Sequence, residues 1–248
     1  MSISVKIYEN ADEVASAAGA DFVRHIRALL DTKASVHISI TGGTVGILTL
    51  ARISDLAEAH SLDWSRVHVW WGDERFVRSD SQDRNAVQAH EALFSKISIP
   101  SENVHAFPAV PADAQDVDAA LDQAVKDFEK TIDGFVSSPG EQLKFDLTFL
   151  GMGPDGHIAS LFPGHEIPAT GVRVTAEHNS PKPPPHRLTF TYEAINNSQL
   201  IWFVVAGADK ANAVGVAFSD NGNSLPVGRV NGLSETVWYL DKSAASQL

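Results

Sequence analysis

Asp155 and His157 stand two residues apart in Gly151-Met152-Gly153-Pro154-Asp155-Gly156-His157, directly after the apolar run FDLTFL at 145–150. An imidazole with a reference pKa of ~6.5 is mostly neutral at pH 7 and can accept a proton there, which makes His157 a candidate general base. The same pair would also serve as a polar turn with a surface histidine. Thr41-Gly42-Gly43-Thr44 follows VHISI and precedes a helical pattern. Glycines let the backbone approach a ligand, and a helix N-terminus offers free N–H groups, so this segment can cradle a phosphate; it reads equally as a tight turn capped by Thr44. Gly72-Asp73-Glu74-Arg75 follows VHVWW. Two carboxylates and a guanidinium can move protons, bind metal or grip phosphate, or form only a surface ion pair worth roughly 0–1 kcal/mol. Arg187 follows three prolines at 183–185 at the mouth of a strand, and Lys210 follows Asp209 after LIWFVVA. Asp209 suits a helix N-cap, and either cation can meet an anion or lie in solvent.

Other chemistries are excluded or unsupported. The chain has no cysteine, which removes disulfides, thiol nucleophiles and thiolate metal sites. No GK[ST] follows the first glycine turn, and there is no G-x-S-x-G elbow or H-E-x-x-H helix. Residues 151–156 spell G-x-G-x-x-G, but a dinucleotide site needs a sustained helix from those glycines, and Pro163, Gly164 and Pro168 cut it short. His25, His60, His90, His105 and His178 show no ligand-like spacing, and nothing supports a metal shared by His157 and His165. No metal is expected. A net charge of −12 disfavours nonspecific nucleic-acid binding and repels anions at long range, so local cations and N–H groups must hold any phosphate. No apolar run is long enough to span a membrane and the N-terminal residues lack a signal-peptide layout, so a cytoplasmic protein is expected.

The elements that must carry these residues alternate. Strands are expected at 3–8, 36–40, 67–71, 145–150, 200–206 and 236–240, and helices at 11–30, 45–59, 85–95, 116–133 and 208–218. Asn10 and Glu13 suit a capping box for the first helix. Such alternation predicts an α/β domain with a parallel or mostly parallel sheet, whose ligands sit beyond the carboxyl ends of the strands. The stretch 163–187 holds six of the twelve prolines and reads as one long ordered loop inside a single domain of residues 1–248.

Five segments, taken together and in order, resemble the 6-phosphogluconolactonases within the wider glucosamine-6-phosphate isomerase/deaminase family. They are TGGT at 41–44, WWGDERFV at 70–77, FDLTFLGMGPDGHIASLFPGH at 145–165, PKPPPHRLTFT at 181–191 and FVVAGADKANAV at 203–214. The resemblance covers nearly the whole chain. It implies a three-layer α/β/α sandwich with a Rossmann-like sheet, and hydrolysis of 6-phospho-D-glucono-1,5-lactone to 6-phospho-D-gluconate in the pentose phosphate pathway without a cofactor. It implies His157 as general base with Asp155 beside it. Thr41, Gly42, Gly43, Thr44, Asp73, Arg75, Arg187 and Lys210 would bind the phosphosugar lactone, and backbone N–H groups around Gly151, Gly153 and Gly156 would hold an oxyanion. A monomer is the working expectation, with an oligomer left open. The chain departs from the family where the glycine turn usually begins with Ser and runs on to a Pro: here stand Thr41 and Val45-Gly46.

Two other readings remain. The deaminase branch typically has DEY where this chain has Asp73-Glu74-Arg75, and a Glu five residues after the motif His, where this chain has Phe162. A non-catalytic sugar-phosphate sensor would keep the cations and the glycine turn but has no need of Asp155 and His157.

Overall fold

The computed structural model describes residues 2–166 and 170–248; Pro168, invoked above as a helix breaker, lies outside them. The first unit is strand β1 (Ser2–Tyr8) and helix α1 (Ala11–Leu30). Asn10 caps α1 by accepting the Glu13 N–H at 3.0 Å, while the Glu13 carboxylate reaches back to the N–H of Glu9 at 3.1 Å instead of that of Asn10. Strand β2 (Val36–Ile40), helix α2 (Gly43–Asp55) and strand β3 (Val67–Trp71) follow. After a short strand β4 (Asp73–Arg75) come helices α3 (Asn85–Ala92) and α4 (Val117–Asp133), the latter capped by Asp116. Strand β5 (Phe145–Leu150) is buried along its whole length. The chain ends with β6 (Val174–Glu177), β7 (Arg187–Phe190), α5 (Tyr192–Asn196), β8 (Ser198–Val205), α6 (Ala211–Ala217) and β9 (Glu235–Asp241).

Among the described residues, six strands form one sheet in the order β1-β9-β8-β5-β2-β3, and every neighbouring pair is parallel. Parallel strands need crossovers, which here place helices on both faces. On one face Phe22 of α1 meets Phe149 of β5, with ring centres 5.7 Å apart. On the other Phe128 of α4 packs edge-on against Trp70 of β3 at 6.0 Å. The fold is thus the expected α/β sandwich. The chain passes from β2 to β3 on one side and later returns to β2 from the other side through β5, so a crevice opens at the carboxyl ends of β2 and β5.

Three local expectations are corrected. Residues 163–187 are not one loop: Val174–Glu177 is a strand that pairs antiparallel with β7, which in turn pairs with β4 in a second, three-stranded sheet. Asp209 does not cap a helix: Gly207 precedes a short 3-10 turn, and Asp209 pairs with Lys210 at 2.9 Å. The helix expected at 45–59 begins at Gly43 and ends at Asp55, with a 3-10 turn at Ala57–Ser61 beyond it.

Under α4 lies a stack of neutral histidines. His37 and His68 are register partners on β2 and β3 with rings 4.7 Å apart, and His105 Nε2 lies 3.0 Å from His68 Nδ1. Trp70 Nε1–H donates to His37 Nδ1 at 3.2 Å, which requires that nitrogen to be unprotonated. Burial, reinforced by the neighbouring imidazoles, pushes His37 and His105 down to about 4. The unfolded chain takes up these protons near pH 6.5, so native stability is complete above that value and is lost as pH falls from about 6.5 toward 4. Each imidazole accounts for on the order of 1–3 kcal/mol, and calorimetry between pH 7.5 and 4 should show Tm falling by roughly 5–15 °C. A His37→Asn/His105→Gln double variant should flatten that slope.

Candidate active site

A cleft of about 550 Å³ opens at the carboxyl ends of the strands. Its floor comes from Thr41–Gly46, from Gly151, Met152 and Gly153, and from the ends of β8 and β9. Across the crevice the Gly151 N–H donates to Thr41 Oγ1 at 3.3 Å, tying the two strand ends together. Thr44 is exposed and makes no cap: α2 has Gly42 at its N-cap, no side-chain cap bond and no acidic residue in its first turn. The first N–H groups of α2 are therefore open toward the cleft.

The glycines here are set by close approach. A Cβ at Gly42 would lie 1.9 Å from Asn85 Oδ1. One at Gly46 would meet the Thr41 methyl and carbonyl oxygen, both at 2.8 Å. Thr41 and Gly46 are thus complementary, and the bulkier hydroxyl residue is accommodated because position 46 carries no side chain. A Cβ at Gly153 would stand 2.0 Å from His157 Nδ1 and 2.5 Å from Asp155 Oδ1. Only glycine lets the imidazole lie over this turn.

His157 Nδ1 is 2.5 Å from Asp155 Oδ1. The carboxylate accepts the Nδ1 proton, which leaves Nε2 with its lone pair. Phe162 packs on the imidazole, with ring centres 4.7 Å apart. Burial lowers the His157 pKa, and Asp155 opposes that effect; Asp155 itself is held low by its bond to His157 despite partial burial. The ring is consequently neutral at pH 7 and oriented by a carboxylate. Lys182 Nζ lies 3.5 Å from His157 Nδ1 and 3.9 Å from Asp155 Oδ1.

The N–H groups of Gly151, Gly153 and Gly156 are already engaged within the protein. Gly153 N–H donates to His157 O and Gly156 N–H to Gly153 O, each at 2.9 Å, and Gly151 is engaged with Thr41. These glycines shape the turn and are not free donors; Gly156 adopts φ +77°, and a Cβ there would come 2.7 Å from Leu225.

Asp73, Arg75, Arg187 and Lys210 all line the cleft. Asp73 Oδ2 accepts the Ser160 hydroxyl at 2.6 Å and lies 3.9 Å from Arg187 Nη1. Arg187 donates to the carbonyls of Pro184 at 3.1 Å and Lys182 at 2.9 Å, so it braces the proline segment. Arg75 donates to Asp83 O at 2.6 Å, and its Nε has no partner among the described residues. Glu74 does not line the cleft: it is fully buried and accepts the N–H groups of Arg75, Asn85 and Ala86 at 2.7–2.9 Å beside Arg84. His157 and His165 both pack on Phe162, with ring centres 4.7 and 5.4 Å away, and His165 pairs with Glu177 at 2.6 Å.

Sequence reasoning passed over Lys182 and Asn85. Lys182 was visible in PKPPP, but only the hairpin between β6 and β7 carries it over His157. Asn85 opens α3 and donates to Asp73 O at 2.9 Å, with its Oδ1 unpartnered among the described residues. Nothing in its sequence surroundings marks it.

Residues 9–238 match the family described as glucosamine-6-phosphate isomerases/6-phosphogluconolactonase. The chain is 39% identical to the 6-phosphogluconolactonase of Mycobacterium tuberculosis, covering 100% of this chain and 99% of that one. Solved 6-phosphogluconolactonase structures are similar throughout. That from Trypanosoma brucei has a TM-score of 0.85 at 26% identity, covering 99% of this chain and 98% of its own. That from Thermotoga maritima has a TM-score of 0.80 at 28% identity, covering 97% and 100%.

Because Asp155 supports the protonated ring against burial, Asp155→Asn is expected to lower the His157 pKa further and to release the Nδ1–H tautomer. NMR titration of the imidazole nitrogens reads both; an unchanged pKa would separate the two side chains electrostatically.

Proposed function

The chain belongs to the glucosamine-6-phosphate isomerase/6-phosphogluconolactonase family, and on that premise we propose that it hydrolyses 6-phospho-D-glucono-1,5-lactone to 6-phospho-D-gluconate. The observation that carries the reading is the Asp155–His157 pair at 2.5 Å in a cleft also lined by Arg75, Lys182, Arg187 and Lys210.

A lactone is an activated ester, and its hydrolysis needs a base for water, a site for the oxyanion and a proton for the departing ring oxygen. Water attacks C1 while His157 Nε2 takes its proton, and Asp155 holds the resulting imidazolium through Nδ1–H. The tetrahedral intermediate collapses, the bond from C1 to the ring oxygen breaks, and the imidazolium returns its proton to that oxygen. The product carboxylic acid then ionises in water. With the N–H groups of Gly151, Gly153 and Gly156 engaged, the oxyanion falls to the Lys182 ammonium, the cation beside His157. The phosphate is held at the open N-terminus of α2 with Arg75 and Lys210, and this remote binding positions C1. Asp73 and Arg187 fix the proline segment that delivers Lys182. The whole chain acts as one catalytic unit in this reading, a monomer with no bound cofactor.

Deamination in the same family moves protons between two sugar carbons and requires a further acid/base group near the histidine. The side chain packed on His157 is Phe162, which transfers no proton. A sensor would have no use for an oriented neutral imidazole.

The test generates the lactone in situ and follows 6-phosphogluconate with a coupled dehydrogenase, subtracting spontaneous hydrolysis. His157→Ala is expected to cut kcat about 10²–10⁴-fold with little change in KM. Lys210→Ala should act mainly on KM. Unchanged kcat in His157→Ala would remove the base assignment. Ammonia release from glucosamine 6-phosphate without lactone hydrolysis would move the chain to the deaminase branch.

A further inference from the structure

Outside the cleft, two histidines with no ligand-like spacing in sequence converge on one carboxylate. His178 directly follows β6 and His186 directly precedes β7, and the adjoining residues Glu177 and Arg187 are register partners across the hairpin. The hairpin therefore closes with the two imidazoles side by side, their ring centres 6.2 Å apart. Both face the first turn of α4. His178 Nδ1 and His186 Nε2 lie 2.8 and 2.9 Å from the same oxygen, Asp118 Oδ1. One helical turn on, Asp122 Oδ1 lies 3.1 Å from His178 Nε2. The three ligand atoms of Asp118, His178 and His186 all lie within 4.8 Å of one another, and the two histidines are only half-buried.

We propose that Asp118, His178 and His186 form a binding site for a divalent transition-metal ion of the zinc class, which clips the β6–β7 hairpin to helix α4. Two imidazole nitrogens with one carboxylate suit Zn²⁺, Co²⁺ or Ni²⁺, whereas Mg²⁺ and Ca²⁺ favour sets made only of oxygen. Around zinc, with bonds of about 2.0–2.2 Å, tetrahedral ligand atoms stand about 3.3 Å apart. The Asp118 contacts at 2.8 and 2.9 Å thus need to open by only about half an ångström, within side-chain freedom at this exposed edge. Three protein ligands leave a fourth position to water. Asp122 stands on the other nitrogen of His178, the carboxylate–histidine–metal arrangement that fixes a ligating ring and raises its basicity.

The placement gives the ion a structural consequence. Residues 179–185, between the two histidines, carry Lys182 to His157, and Arg187 follows His186 directly. A metal holding 178 and 186 to α4 fixes both ends of the segment that supplies one wall of the cleft.

Zinc chloride titrated into the metal-stripped full chain against a chromophoric chelator should show one ion per chain at micromolar concentrations. His178→Ala and His186→Ala should each weaken binding at least about tenfold, and Asp118→Asn should weaken it without removing either imidazole. His157→Ala should leave the affinity unchanged, which separates this site from the cleft. Co²⁺ in the same position should give the visible bands of a low-coordinate nitrogen–oxygen site, and zinc should slow amide exchange in residues 178–187 of the wild type but not of the His178→Ala/His186→Ala double variant. No one-to-one binding, affinity unchanged in the His178→Ala/His186→Ala double variant, or binding abolished by His157→Ala would each overturn the proposal. If an alanine variant fails to fold, Asp118→Asn decides the matter.

Discussion

The parallel pairing of β2 with β5 is the constraint from which the site follows. These strands enter the sheet from opposite directions of chain travel, so the connections at their carboxyl ends diverge and leave a crevice between them. The Gly151 N–H bonded to Thr41 Oγ1 spans that crevice and fixes the separation of its walls. One wall is then a helix N-terminus without a cap, and the other is the turn that bears Asp155 and His157. Slipping the pairing by one residue would exchange the faces of β5 and turn the motif away from the crevice. The open helix N-terminus and the Asp155–His157 pair therefore face each other as consequences of one register.

Electrostatics divides the molecule in the same way. A chain of net charge −12 repels a phosphorylated substrate at a distance, but at physiological salt that field is screened beyond ~8 Å. Inside the cleft, Arg75, Lys182, Arg187 and Lys210 are gathered with the first N–H groups of α2, at a range where screening is weak. The long-range repulsion lowers the encounter rate, and the positive groups that oppose it are gathered in the cleft. His157 sits where the two influences meet: Lys182 and burial keep it neutral, and Asp155 keeps it orientable.

What was legible in the sequence was whatever rests on local period and local motif. Strands β2, β3 and β5 were expected at the residues where they occur because each is a short apolar run between turn signals, and α1 because its apolar stripe and its Asn10 cap agree. The Asp155–His157 contact was readable because it spans two residues. The second sheet was not, since β4 and β6 are three and four residues long and acquire strand geometry only from β7. Lys182 and the meeting of His178 with His186 depend on that same pairing and were hidden for the same reason, while Asn85 reaches the cleft through its contacts with Asp73 and Glu74 of β4. The N–H groups of the glycines were not legible as engaged for a different reason: the residues that permit the tight turn also close it with their own hydrogen bonds.

The small sheet also contains a local conflict that points to its task. In the β4–β7 ladder Arg75 stands directly opposite Arg187, and like charges facing each other across antiparallel strands are destabilising. Glu177 flanks Arg187 on the other strand and Asp73 approaches it at 3.9 Å, yet among the described residues the buried Arg75 Nε and the Oδ1 of nearby Asn85 have no partner. Unsatisfied buried polar atoms and opposed cations each carry a cost that a stable scaffold avoids. Arg75, Arg187 and Asn85 all line the cleft, and Asn85 Oδ1 lies against Gly42, the N-cap of α2. The opposed guanidinium groups and the Arg75 Nε call for an acceptor, whereas the Asn85 Oδ1 calls for a donor, so this wall of the cleft is suited to a ligand that offers both.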